Sequence, residues 1–256
     1  NIGDLIPEHK VVVTVTHRGY VKRLPLDTYR EQGRGGRGIK GGKVEEDDFT
    51  ELLFSANSHA DLLCFTSLGR VFKLKVWQIP EGSRTSKGRA IVNLLRLRDE
   101  EQVVTCLTID DFEKGEDFLV FATRNGKVKR TALRDYRNVN VAGINAIHLR
   151  DGDDLVGVIH TRGDHHILLA TASGMSIRFS EQDARVMGRV ASGVKGIDLG
   201  GDDVVVGVVR VDNDADLLTV TKNGYGKRTS MSEYLVHSED GSTRPQSRGG
   251  KGRRDI

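Results

Sequence analysis

Apolar, β-branched runs alternate with short polar turns along the whole chain, and they come in pairs. Val11 to Thr16, Leu62 to Thr66, Phe118 to Thr123, Ile167 to Thr171 and Leu217 to Thr221 each read as a strand. Each runs into a turn centred on Gly19, Gly69, Gly126, Gly174 or Gly224, and a second strand follows. Two turns are Asn-Gly (Asn125-Gly126 and Asn223-Gly224), the dipeptide favoured where both central residues of a hairpin need positive φ. The pattern predicts five hairpins.

The rest of each repeat has the same grammar. In the first four repeats a second glycine loop follows 17 to 19 residues after the turn, at Gly38, Gly88, Gly143 and Gly193; in the fifth the equivalent loop is longer and reaches Gly252. A third apolar run comes next (Ala90 to Leu97, Ile144 to Leu149, Val194 to Leu199), then an acidic turn, then a fourth run (Val103 to Ile109, Leu155 to Ile159, Val204 to Val209). The acidic turns are Glu45 to Asp48, Asp99 to Glu101, Asp151 to Asp154 and Asp202-Asp203. Four strands per period of about 50 residues predict an all-β, propeller-like array in which a blade buries its faces only against neighbours. The whole chain, 1–256, is read as one such array.

Composition adds limits. The net charge of +3 is too small for general basicity to say anything, so the placement of charge matters. No run is apolar enough for a membrane span and no cleavable signal opens the chain. Cys64 and Cys106 lie inside apolar runs without C-x-x-C spacing, which suits buried thiols in a reducing, cytoplasmic setting.

Basic residues recur three or four positions after every hairpin turn: Lys22 and Arg23, Lys73, Lys129 and Arg130, Arg178, and Lys227 and Arg228. A second set falls in or beside the glycine loops: Arg84, Lys87 and Arg89, then Arg189 and Lys195, then Arg248 and Lys251. Acidic clusters occupy a different phase of the repeat, so stacked blades would carry a basic band apart from an acidic one. An isolated basic pair on a strand usually marks only a solvated face or a guarded edge, but recurrence in all five repeats argues for more. The third blade is poor in loop charge, since Val141-Ala142-Gly143-Ile144 has none; Lys129 and Arg130 are expected to substitute there.

The densest basic loop is Gln32-Gly33-Arg34-Gly35-Gly36-Arg37-Gly38, with Lys40 and Lys43 behind it and a near copy at Gln246 to Gly252. Glycine lets the backbone turn and lie close to a partner while guanidinium groups supply charge, a chemistry suited to phosphates. Gly33, Gly35 and Gly38 formally match a dinucleotide fingerprint, but Ile39-Lys40-Gly41-Gly42 is a poor helix start, which excludes it.

These motifs resemble the C-terminal domain family of the bacterial DNA gyrase A protein, over essentially the whole chain. Gln32, Arg34, Gly35, Gly36, Arg37 and Gly38 match the gyrase A box, with Gly33 in place of the basic residue usual at its second position; Asp61 to Phe65, Ala90 to Leu95 and Asn223 to Thr229 match as well. The resemblance implies a β-pinwheel, a propeller variant with strands exchanged between neighbouring blades and usually six blades. It also implies a bacterial, nucleoid-associated protein that wraps double-stranded DNA non-specifically around a basic rim, Arg34 and Arg37 anchoring the wrap. Implied partners are the N-terminal cleavage domain of gyrase A and the gyrase B protein in an A2B2 enzyme, with ATP and magnesium bound elsewhere and no cofactor in this chain.

No catalytic site is expected here. His165-His166 lack a third ligand at metal spacing, no nucleophile elbow occurs, and no metal site is predicted. Two other readings stand beside DNA wrapping: a topoisomerase IV-type module that binds DNA without strong wrapping, and a propeller used as a protein-interaction platform. The second leaves the two Arg-Gly-Gly loops unexplained.

Overall fold

A computed structural model describes residues 2–28 and 48–256, and every regular element in them is a strand or a short 3-10 turn. The chain forms two compact units: Asn1–Thr66 with Val71–Asp111 and Val139–Ile144, and Ser67–Arg70 with Phe112–Asn138 and Asn145–Ile256.

The first unit contains a complete sheet built on the Gly19 hairpin. Strands β1 (Lys10–Thr16) and β2 (Tyr20–Pro25) form the hairpin, β3 (Thr50–Asn57) pairs along β1, and the two-residue β6 (Arg89–Ala90) pairs along β2. A second sheet repeats the plan with β4 (Asp61–Thr66), β5 (Arg70–Lys75), β7 (Val103–Ile109) and β10 (Ile144–Asn145), in the order β10-β5-β4-β7. Val11, Val13, Val15 and Val21 from one sheet pack with Leu62, Cys64 and Phe72 from the other, and Ile91 and Leu95 close the core.

The second unit holds two more sheets of the same kind. One has β8 (Phe118–Thr123), β9 (Lys127–Ala132), β11 (Leu155–Thr161) and β14 (Val194–Lys195), in the order β11-β8-β9-β14. The other has β12 (His166–Thr171), β13 (Met175–Ser180), β15 (Val205–Arg210) and β20 (Arg253–Arg254), in the order β15-β12-β13-β20. The exchanged strands β6, β14 and β20 pair antiparallel, and each of the four-stranded sheets takes a two-residue edge strand from the following repeat, which is the expected strand exchange. The fifth hairpin, β16 (Asp216–Val220) and β17 (Gly226–Ser230), forms a two-stranded sheet, followed by the ribbon of β18 (Val236–His237) and β19 (Thr243–Arg244). Four of the five expected blades are therefore complete.

The third apolar runs need correction. Ala90 to Leu97 reads as a strand, yet only Arg89–Ala90 pair, after which Ile91–Asn93 form a 3-10 turn. Ile91 and Leu95 are buried while Val92 is 61% exposed, so the run buries residues four apart, as a turn does, and its overall apolarity misreads as a strand.

The acidic turns have a structural task. Asp48 accepts hydrogen bonds from the backbone N–H of Arg18 and Phe49, Asp153 from Asn125 and Asp154, and Asp203 from Ser173 and Val204, all at 2.9 Å. In the second sheet Glu101 takes this place, accepting from Thr66 Oγ1 at 2.6 Å and Arg98 N at 2.7 Å. Each carboxylate thus satisfies backbone donors where the outer strand meets the hairpin. These members of the expected acidic band are joints of the fold.

Candidate nucleic-acid interface

The gyrase-box-like loop with Gln32, Arg34, Gly35, Gly36, Arg37 and Gly38, and Lys40 and Lys43 after it, lies outside the described residues. Three equivalent loops can be followed residue by residue.

The loop 81–88 lies along β2. Arg23 N donates to Pro80 O and Gly82 N to Arg23 O, each at 3.0 Å. Gly88 has φ +87°, and a Cβ there would sit 2.6 Å from Val21 O; only glycine lets the loop lie this close. The loop 186–193 lies along β9 in the same manner: Met187 N donates to Arg130 O at 2.8 Å, and Gly193, at φ +89°, lies against Val128 O. The copy of the box, Gln246 to Gly252, docks on β13 with Gln246 N donating to Arg178 O at 2.8 Å. Its Gly249 N donates to Gly196 O and its Gly250 O accepts from Asp198 N, both at 2.8 Å, and Arg248 donates through Nε to Asp183 O at 3.0 Å and through Nη1 to Lys195 O.

The cations divide into two groups. Lys87, Arg89, Lys195, Lys227, Arg228 and Lys251 are exposed, and Arg84, Arg189 and Arg248 are half-buried. Several are tethered: Lys87 stands 4.2 Å from the centre of the Tyr20 ring, Lys195 pairs with Asp198 at 2.8 Å, Lys227 donates to Asp255 O at 2.6 Å, and Arg228 pairs with Asp216 at 2.9 Å. Such exposed pairs contribute little to stability and can exchange an acidic partner for a phosphate.

Lys22, Lys129, Arg130 and Arg178 form the other group, and here the sequence expectation is corrected. All four are buried, Lys129 completely. Lys22 Nζ donates to the carbonyl oxygens of Ser83, Arg84 and Ser86 at 2.9, 3.0 and 2.8 Å. Lys129 Nζ donates to Ala146 O at 2.5 Å and Arg189 O at 2.7 Å, with Gly188 O and Tyr136 Oη at 3.4 Å. Arg130 donates to Ala184 O at 2.9 Å and faces Glu181, 3.6 Å away. Arg178 donates to His166 Nδ1 at 3.0 Å and to Met231 O and Asn213 Oδ1, both at 2.6 Å. Their charges are spent inside the protein, so Lys129 and Arg130 cannot supply the charge that 141–144 lacks. Arg23 is nearly so, donating to Ile79 O at 2.7 Å and pairing with Glu81 at 3.3 Å.

Burial shows in the proton affinities. Burial and, secondarily, the nearby Arg189 bring Lys129 down from 10.5 to about 7, with Asp135 opposing. Burial likewise lowers Lys22. His166 is lowered by burial and then by Arg178, which suits a neutral ring accepting through Nδ1.

A signal for the buried lysines was present in the repeats. With the turn glycines aligned, the position of Lys22 and Lys129 is filled by Phe72 and Ile177 in the second and fourth repeats, an inward-facing place.

Among the described residues, Asp164, His165 and Glu181 form one group that could hold a metal ion. Glu181 is poorly suited, since Oε2 accepts from Thr161 Oγ1 at 2.6 Å and Oε1 from Gly163 N and His165 N at 3.0 and 2.8 Å. No helix among the described residues is long and apolar enough to cross a membrane.

Comparison with known proteins places this architecture. The profile of the family described as DNA gyrase C-terminal domain, beta-propeller, matches residues 10–57, 60–110, 117–162, 165–212 and 215–239. The DNA gyrase A protein of Clostridium acetobutylicum is 51% identical over 252 residues, 98% of this chain and 29% of that protein. The DNA gyrase A protein of Escherichia coli K12 is 45% identical over 238 residues, 93% of this chain and 27% of that protein. The chain therefore spans under a third of the length of these relatives. Among solved structures, the C-terminal domain of DNA topoisomerase IV superposes with a TM-score of 0.77 at 27% identity, covering 97% of this chain and 73% of that one. A DNA gyrase A C-terminal domain superposes at 0.75 with 27% identity, covering 95% and 76%. The strand-exchanged sheets, the glycine loops and these matches agree: the chain belongs to the DNA gyrase C-terminal domain family.

Proposed function

We propose that this chain binds double-stranded DNA without sequence preference and wraps it, so that the full gyrase can introduce negative supercoils. The observation that carries the reading is the recurrence of exposed Lys and Arg on equivalent loops: Lys87 and Arg89 after one hairpin, Lys195 after another, and Lys251 in the copied box. Such cations neutralise phosphates and release counterions without touching bases. Bending 20 to 30 bp through 40 to 90° costs about 1 to 6 kcal/mol, which distributed phosphate contacts must offset. The box at Gln32 to Gly38 would anchor the wrap, and Arg84, Arg189 and Arg248 would extend it.

In this reading the chain has no chemistry of its own. The cleavage domain of gyrase A, the gyrase B protein, ATP and magnesium belong to the holoenzyme, which would act on the nucleoid in the bacterial cytoplasm.

The reading is tested by the affinity for two duplexes of unrelated sequence between 50 and 200 mM salt. Equal affinities whose logarithm falls linearly with the logarithm of salt concentration support it; salt-independent or absent binding overturns it. A second reading, binding without strong wrapping, is favoured by the likeness to the topoisomerase IV domain and would leave plasmid topology unchanged.

A further inference from the structure

Lys22 and Lys129 occupy one repeat position in the two units, and both spend their amino groups on the loop that follows from the next repeat. The acceptors of Lys22 are three carbonyls of 83–86, in the loop that carries Arg84 and Lys87 and leads into Arg89. Those of Lys129 include the carbonyls of Gly188 and Arg189. Core packing does not require the amino group, because Phe72 and Ile177 fill the same position, buried, in the other two complete sheets. There the loops are held by other means: Gly143 lies on the Phe72 ring, and Arg248 reaches back to Asp183 O and Lys195 O. What the lysines add is a grip on loop backbones that hold exposed or half-buried cations in place.

We propose that Lys22 and Lys129 are positioning residues for DNA binding: each fixes from beneath the loop whose cations meet the phosphates, without meeting DNA itself. The inference rests on the DNA-binding reading above. A backbone held by two or three donors keeps its side-chain origins at fixed spacing, so their phosphate contacts form together. Released, the loop retains its charges but loses that register.

The test is a double-mutant cycle on duplex affinity and its salt slope. Lys22→Met keeps the stem and removes the donors. It is expected to reduce the magnitude of the slope by about 1 to 2, the signature of one or two fewer phosphates neutralised. In the background Arg84→Ala plus Lys87→Ala plus Arg89→Ala the same change is expected to have no further effect on the slope, because the cations it positions are already absent. A slope unchanged by Lys22→Met alone, or an effect of equal size in both backgrounds, overturns the inference while leaving the DNA-binding reading intact. A wild-type chain with no salt-dependent binding overturns both. Circular dichroism checks folding; should Lys22→Met not fold, Lys129→Met in the presence and absence of Arg189→Ala runs the same cycle in the other unit.

Discussion

The Lys129 amino group donates to the carbonyl oxygen of Arg189 at 2.7 Å, so a fully buried base holds the backbone of a half-exposed cation 60 residues further on. Two residues that look alike in the sequence thereby have opposite tasks, one structural and one facing solvent.

The proton affinity of Lys129 gives a pH dependence of stability. Its value is about 7 in the folded chain and near 10.5 when unfolded. Between these values the unfolded state binds one more proton, so stability rises with pH across this window, by up to about 1.4 kcal/mol per unit. Below pH 7 both states are charged and the full cost of burying the cation is present. Lys22, also lowered, acts with the same sign. The expected result is a flatter stability curve for Lys129→Met than for the wild type from pH 7 to 10, measured by urea denaturation; parallel curves would contradict it.

Among the described residues, Glu181 is the carboxylate that faces buried Arg130, and it accepts three further hydrogen bonds. Glu181→Ala leaves a buried guanidinium without its counter-charge and is expected to cost about 3 to 5 kcal/mol. Chemical denaturation of the variant reads this directly, and a loss under about 1 kcal/mol would show that Arg130 finds water instead.

The acidic joints predict smaller losses. Asp153→Ala removes the acceptor shared by Asn125 N and Asp154 N and should cost about 1 to 2 kcal/mol, comparable with deleting a helix cap. Lowered thermal stability with little change in duplex affinity is the expected pair of results. A variant that binds DNA more tightly at unchanged stability would instead show that this aspartate acts as part of the acidic band and opposes DNA there.

Gly193→Ala tests the close approach of the glycine loops. At φ +89° an alanine is strained, and its Cβ would press on Val128 O, so the loop must lift from β9. Increased hydrogen exchange at the Met187 amide, which otherwise donates to Arg130 O, is expected to accompany a loss of about 1 to 3 kcal/mol. Retained protection at that amide would show that the loop stays seated.

Much of this was legible in the chain. The five turn glycines and their β-branched flanks marked all five hairpins, because alternation and positive-φ glycine are local signals. The exchanged strands were harder: Arg89–Ala90 and Val194–Lys195 pair over two residues each, too few for any period to show. Charge was the least legible feature. Lys22 and Lys87 are both lysines beside glycine loops, and only tertiary contact separates one capped by three carbonyls from one lying over the Tyr20 ring. The apolar equivalents Phe72 and Ile177 were the available clue.

The most direct measurement is topological. A nicked plasmid is ligated with the chain bound, and the linking-number change is read at low and raised salt, for the wild type and for Arg34→Ala plus Arg37→Ala. Chiral wrapping anchored at the box is expected to give a positive shift that shrinks with salt and is lost in the double variant. Binding with no shift at any salt would contradict wrapping and leave a module that only holds DNA.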